Sequence, residues 1–85
     1  MPYIKQSDRK KYENITNEIQ KTEIETKGDL EYLIFSLMLK YIKTREYRYS
    51  TLHDDVYAAM HCADEFRRRF LDEREDEAIE LNGDV

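Results

Sequence analysis

Leu30-Glu31-Tyr32-Leu33-Ile34-Phe35-Ser36-Leu37-Met38-Leu39-Lys40-Tyr41-Ile42 (LEYLIFSLMLKYI) is the stretch on which the fold turns. Leu30, Leu33, Ile34, Leu37, Met38, Tyr41 and Ile42 recur at helical spacing and make one wide apolar stripe. Tyr32, Phe35 and Leu39 add apolar surface on the flanks and back. Thr26-Lys27-Gly28-Asp29 precedes the stretch as a helix start, with Thr26 as cap and Asp29 in the return position of a capping box. The spacing predicts a helix over 27–43 that is apolar on most of its circumference. A helix of that kind is covered on most sides.

Working outward, two further helices are predicted. Tyr12, Ile15 and Ile19 make a thin stripe in a first helix over about 8–20, capped by Ser7 or Asp8. Leu52, Val56, Ala59, Met60, Ala63, Phe66 and Phe70 mark the inner face of a third, over about 51–80, capped by Ser50 or Thr51. Ala58, Ala59 and Ala63 let a neighbouring helix come close. Asn82-Gly83 reads as its stop. The expected fold is all-α, a small bundle of three main helices in one domain over 1–85, with an N-terminal arm at 1–7 and an acidic segment at 72–85. Eighty-five residues give two narrower helices little chance of covering the central one. A homo-oligomer is therefore expected, with Leu33, Phe35, Leu37, Met38 and Tyr41 at the interface. The third helix would span roughly 45 Å against about 25 Å for the second. Its excess must project, bend or pack on another copy.

Composition narrows the class. Apolar residues make up 40% and charged residues 39%, with two Gly and one Pro, which favours helices with solvated faces over disorder or an all-β fold. The net charge of -5 is unevenly placed. Residues 1–11 and 40–48 each carry an excess of three positive charges, and residues 72–84 an excess of six negative ones. One surface thus attracts an anion and another repels it. The net sign opposes duplex DNA, and no basic helix has base-reading spacing. One cysteine, Cys62, excludes an internal disulfide and suggests a reducing compartment. No apolar run reaches the length of a membrane span, and the charged start lacks a signal-peptide core. The expectation is a cytoplasmic protein.

MPYIKQ at the start, Arg9, Gly28-Asp29-Leu30 with Tyr32, Cys62-Ala63, Glu65-Phe66, Arg68-Arg69 and the closing Asn82-Gly83-Asp84-Val85 together resemble a family of small, uncharacterised bacterial and phage helical proteins. Glu73 stands where members of that family tend to have a proline. The resemblance implies a compact helical fold, and no activity. Small acidic phage proteins of this class act by binding, as inhibitors of host proteins or as sponges for nucleotide signals.

Enzymatic readings find little footing. Pro2 could serve as a secondary-amine base after loss of Met1, but such prolines begin a strand and no partner strand is visible. His53, His61 and Cys62 lack metal-ligand spacing, so no metal and no cofactor are expected. The acids of 72–80 lie in one run and not on converging helices, unlike the clusters of all-α nucleotide hydrolases. An acidic segment can also mimic nucleic acid. The expected function is non-enzymatic: an anti-defence type accessory protein, in a host cytoplasm, that sequesters a small anionic ligand such as a nucleotide immune signal at a subunit interface. Lys5, Gln6, Arg9, Arg68 and Arg69 would meet phosphate, and Tyr3 and Tyr49 would stack. The other expectation is a protein–protein inhibitor or adaptor that uses the acidic or apolar face on a host protein.

Overall fold

A computed structural model describes residues 2–85 and is helical with no strand among them. Met1 lies outside the described residues. The arm, 2–5, leads into α1 (Gln6–Arg9), a 3-10 turn (Lys10–Tyr12) and α2 (Glu13–Lys21). After a short connector come α3 (Lys27–Lys43) and α4 (Tyr49–Phe66). A π-helical turn (Arg67–Leu71) joins α4 to α5 (Asp72–Asn82).

The start of α3 follows the expected chemistry. The Asp29 amide donates to Thr26 Oγ1 at 3.0 Å, and the Thr26 amide donates to Asp29 Oδ2 at 3.1 Å. Two otherwise unpaired donors are satisfied reciprocally. At the far end, Arg45 lies with its guanidinium carbon 3.7 Å from the Tyr41 ring centroid. It donates from Nη1 to the Tyr41 carbonyl oxygen at 2.7 Å, closing a helix terminus where a cation is favoured. Gly83 stops α5 at φ 84°, in the left-handed region where a Cβ is strained, and its amide reaches the Ile79 carbonyl at 2.8 Å.

Two expected helix starts move, and a π turn interrupts the third segment before its expected stop. The first helical segment begins at Gln6, after an extended Lys5 with no side-chain cap, and is interrupted by the 3-10 turn, so neither Ser7 nor Asp8 caps it. The third segment begins at Tyr49, with Arg48 extended before it. Ser50 and Thr51 fall inside its first turn and do not cap it. That segment also runs on to Asn82, through a π turn that sequence spacing did not reveal.

Among the described residues α3 is covered along one side only, and its wide apolar stripe stays largely open. α3 packs along α4, while α2 and α5 make no extended contact with that pair. Tyr32 is 73% exposed, Leu37 62% and Phe35 61%. No apolar side chain among the described residues is buried. The less exposed residues of the α3–α4 pair lie mostly toward its loop, with Met38, Tyr41 and Ile42 on α3 and Leu52, Asp55 and Ala59 on α4 half-buried or buried. The inner face of α4 is therefore rotated from the expected one. Val56 and Met60 are exposed, and the most covered side chain in the molecule is Asp55, at 9%.

The proportions express the same openness. The accessible surface is 8222 Å² for 10.3 kDa, against about 5,400 Å² for a compact monomer of that mass. The radius of gyration is 16.6 Å, against roughly 12 Å for a compact domain of this length. The helical run from Tyr49 to Asn82 sets the long dimension of 50 Å.

Thr26→Ala removes one half of the capping box and leaves the packing untouched. It is expected to cost about 1 kcal/mol, a fall of roughly 4–8 °C in thermal midpoint, read by far-UV circular dichroism at fixed protein concentration.

Candidate functional site

The arm and the π turn meet although 66 residues separate their contact points. Arg69 Nη1 donates to the Tyr3 hydroxyl at 2.9 Å. The Arg69 guanidinium also lies 5.1 Å from the Phe70 ring centroid. Arg68 turns the other way. Its Nε donates to Glu65 Oε1, on the last turn of α4, at 2.6 Å. That hydrogen bond, reinforced by the charge of Glu65, holds the Arg68 guanidinium above its ordinary range, with a smaller contribution from nearby Tyr3. Arg68 is thus cationic at every accessible pH. On the arm, Arg9 Nε donates to the Ile4 carbonyl at 3.1 Å and folds the arm's end against α1. A π turn widens the helix locally, so successive side chains leave it in directions that a regular α-helix does not offer. Arg68 and Arg69, adjacent in the turn and so already diverging by the rotation per residue, meet different partners.

Of the residues expected at an anion site, the structure joins Tyr3 to Arg69, while Arg68, next to Arg69 in the chain, is turned to Glu65. Lys5 and Gln6 stand between Tyr3 and Arg9 on the arm and the start of α1. Tyr49 does not join them. It begins α4, roughly 28 Å along the axis from Arg68 at the α-helical rise. It belongs instead to a ladder on α4. The Tyr49–His53 ring centroids are 5.9 Å apart, His53 and Tyr57 stack at 4.2 Å, and Tyr57 meets His61 edge-on at 6.2 Å. The i, i+4 spacing of these four residues was legible, but the histidines had been weighed only as metal ligands. The ladder ends at a shallow depression of about 360 Å³ lined by His61, Asp64, Glu65 and Arg68.

A larger feature lies between α3 and α4. It is an open trough of about 680 Å³, lined on α3 by Leu30, Ile34, Leu37, Met38 and Tyr41. On α4 its wall is Asp55, Ala58, Ala59, Cys62, Ala63 and Phe66. Three of the five residues expected at an interface, Leu37, Met38 and Tyr41, line it; Leu33 and Phe35 do not. Cys62, expected as a small core residue, is exposed in the trough wall. Asp55 was missed altogether. It follows Leu52 by three positions and precedes Ala59 by four, so the helical period places it on the inner face despite its charge.

Chemically, the arm and π turn present guanidinium N–H donors and a phenol. No cluster of His, Cys, Asp or Glu among the described residues has the form of a metal site. The Arg68–Glu65 pair is exposed at its arginine end, and solvent screens such a pair. A bidentate phosphate contact, a stronger charge-assisted pair, can displace it. The Tyr3–Arg69 hydrogen bond is the one polar tie between arm and π turn. Tyr3→Phe is expected to leave helical content unchanged, while amide hydrogen exchange across residues 4–9 speeds up by about fivefold, matching a loss near 1 kcal/mol.

Among the described residues no helix is long and apolar enough to cross a membrane. No curated protein and no solved structure matches the chain. Over its whole length, residues 1–85, the chain matches the family described as Domain of unknown function (DUF6899), and it belongs to that family.

Proposed function

We propose that the chain is a non-enzymatic binding protein that works as an assembly of copies. It takes a small anionic ligand, of the class of a phosphate-bearing nucleotide signal, where the arm meets the π turn. The observation that carries the reading is the Arg69–Tyr3 hydrogen bond, which sets a phenol against one guanidinium of a turn that carries a second, on Arg68. Guanidinium groups bind phosphate oxygens bidentately, and an adjacent ring offers a face to a base. Lys5 and Arg9 add positive charge on the arm. One open chain encloses too little of a nucleotide for tight binding, so the pocket is completed at a subunit boundary. Tyr49 can contribute a stacking face only from another copy, because its own Arg68 lies too far along the helix. In this reading the protein sequesters its ligand without changing it, as an accessory protein of bacterial or phage type would do in a host cytoplasm.

A second reading is an inhibitor or adaptor of a host protein. The observation in its favour is α5, an acidic helix that makes no extended contact beyond the π turn among the described residues. A partner retained in a pull-down without nucleotide, and released when Glu73, Glu75 and Glu77 are changed to Gln, would favour it.

Isothermal calorimetry with a panel of cyclic and linear nucleotides tests the first reading. Saturable heat is expected with at least one of them, and Arg69→Ala should weaken that binding by about tenfold or more. Absence of heat across the panel overturns the ligand reading.

A further inference from the structure

We infer that a second copy of this chain occupies the α3–α4 trough, so that two hairpins pair across a two-fold axis into a four-helix bundle with their α4 helices antiparallel. The inference rests on the assembly part of the reading above and not on its ligand part. It adds the face, the occupant and the symmetry.

Area comes first. The surface of 8222 Å² exceeds that of a compact monomer of the same mass by about 2,800 Å². Obligate homodimers bury roughly 2,000–5,000 Å² in total, or about 1,000–2,500 Å² from each chain. The surplus therefore reaches the scale of an obligate interface. The missing cover belongs to the chain's own core, since the two helices that carry its strongest apolar stripes face an open trough. Whatever fills that trough must be present whenever the chain folds, and a second copy always is.

The floor of the trough favours close helix approach. Ala58, Ala59, Cys62 and Ala63 form a seam of small side chains along α4, flanked by the bulkier Leu37 and Phe66. Two such seams can meet with their axes near the short end of the usual 8–10 Å range. A two-fold axis at the middle of the seam sets Ala59 against the partner's Cys62, a small residue against a small one.

Charge selects the direction. Asp55 is the one ionisable carboxylate in the wall, and it lies at the loop end of the trough. Parallel pairing of α4 would set the two Asp55 carboxylates face to face in an apolar interface, which is repulsive. Antiparallel pairing about the seam sends them to opposite ends, roughly 16 Å apart along the axis at the α-helical rise. A two-fold interface is self-complementary, so one carboxylate per chain is enough to reject the wrong orientation.

Cys62 is the only cysteine and is exposed on the single chain, so its thiol reports on the trough. The experiment combines sedimentation equilibrium of the full chain with the rate at which a chromogenic disulfide reagent modifies Cys62. The expected result is a mass of twice 10.3 kDa, or a multiple of that pair, with a thiol about tenfold or more slower than in the dissociated chain. Ala59→Glu, or Leu37→Asp on the opposite wall, should yield a single subunit with a fast thiol and retained helical circular dichroism. An oligomer whose thiol is fast and whose mass is unmoved by either substitution overturns the inference and leaves assembly through another face. A single subunit at every concentration overturns both the inference and the assembly reading. The wild-type mass and thiol rate decide the matter even where a variant fails to fold.

Discussion

The packing of α3 on α4, with nothing of the chain laid over the pair, is the constraint on which the rest of the structure depends. Hydrophobic burial is the main favourable term in folding and grows with the apolar area removed from water. Here the two most apolar helices remove area only along the side on which they touch, most fully near their loop. Their remaining stripes line the trough, while α2 and α5 lie elsewhere. A chain of this size has little margin even when compact. An open one has less, and the proposed assembly of copies is the reading that supplies the cover its apolar stripes lack.

Much of this was legible before any coordinates, because helical periodicity and capping are local properties. LEYLIFSLMLKYI carries its period within four turns, and Thr26 and Asp29 are three residues apart, so no distant contact was needed to read them. The stop at Gly83 is equally local. Other features depend on tertiary placement. Asp55 sits on the helical period of the inner face, but an apolar pattern does not register a carboxylate and runs through Val56 and Met60 instead. The start at Tyr49 escaped notice because Ser50 and Thr51 are good caps by type, yet both lie within the first turn. The π turn has no sequence signature at all, since RRRFL is an ordinary helical pentamer by composition.

The candidate site divides in the same way. That Arg68 and Arg69 leave the helix in different directions follows from the rotation per residue. That one of them meets Tyr3 does not, because it requires the arm to return to a point 66 residues further along the chain. Tyr49 was grouped with the arginines on chemical type alone, and the length of α4 separates them. The aromatic ladder from Tyr49 to His61 shows the reverse case, a regular spacing present in the sequence whose side chains had been weighed only for metal chemistry.

The Tyr3–Arg69 tie also bears on the order of folding. Nearly every other contact joins residues within one helix or across a single short loop, and chains rich in such contacts fold quickly. The arm must find a residue far down the chain, and the entropy lost in closing that long loop is recovered only after the helices between have shortened the path. Tyr3 therefore docks late. While the chain is being synthesised it also has to wait, since the arginine that meets it is made 66 residues later.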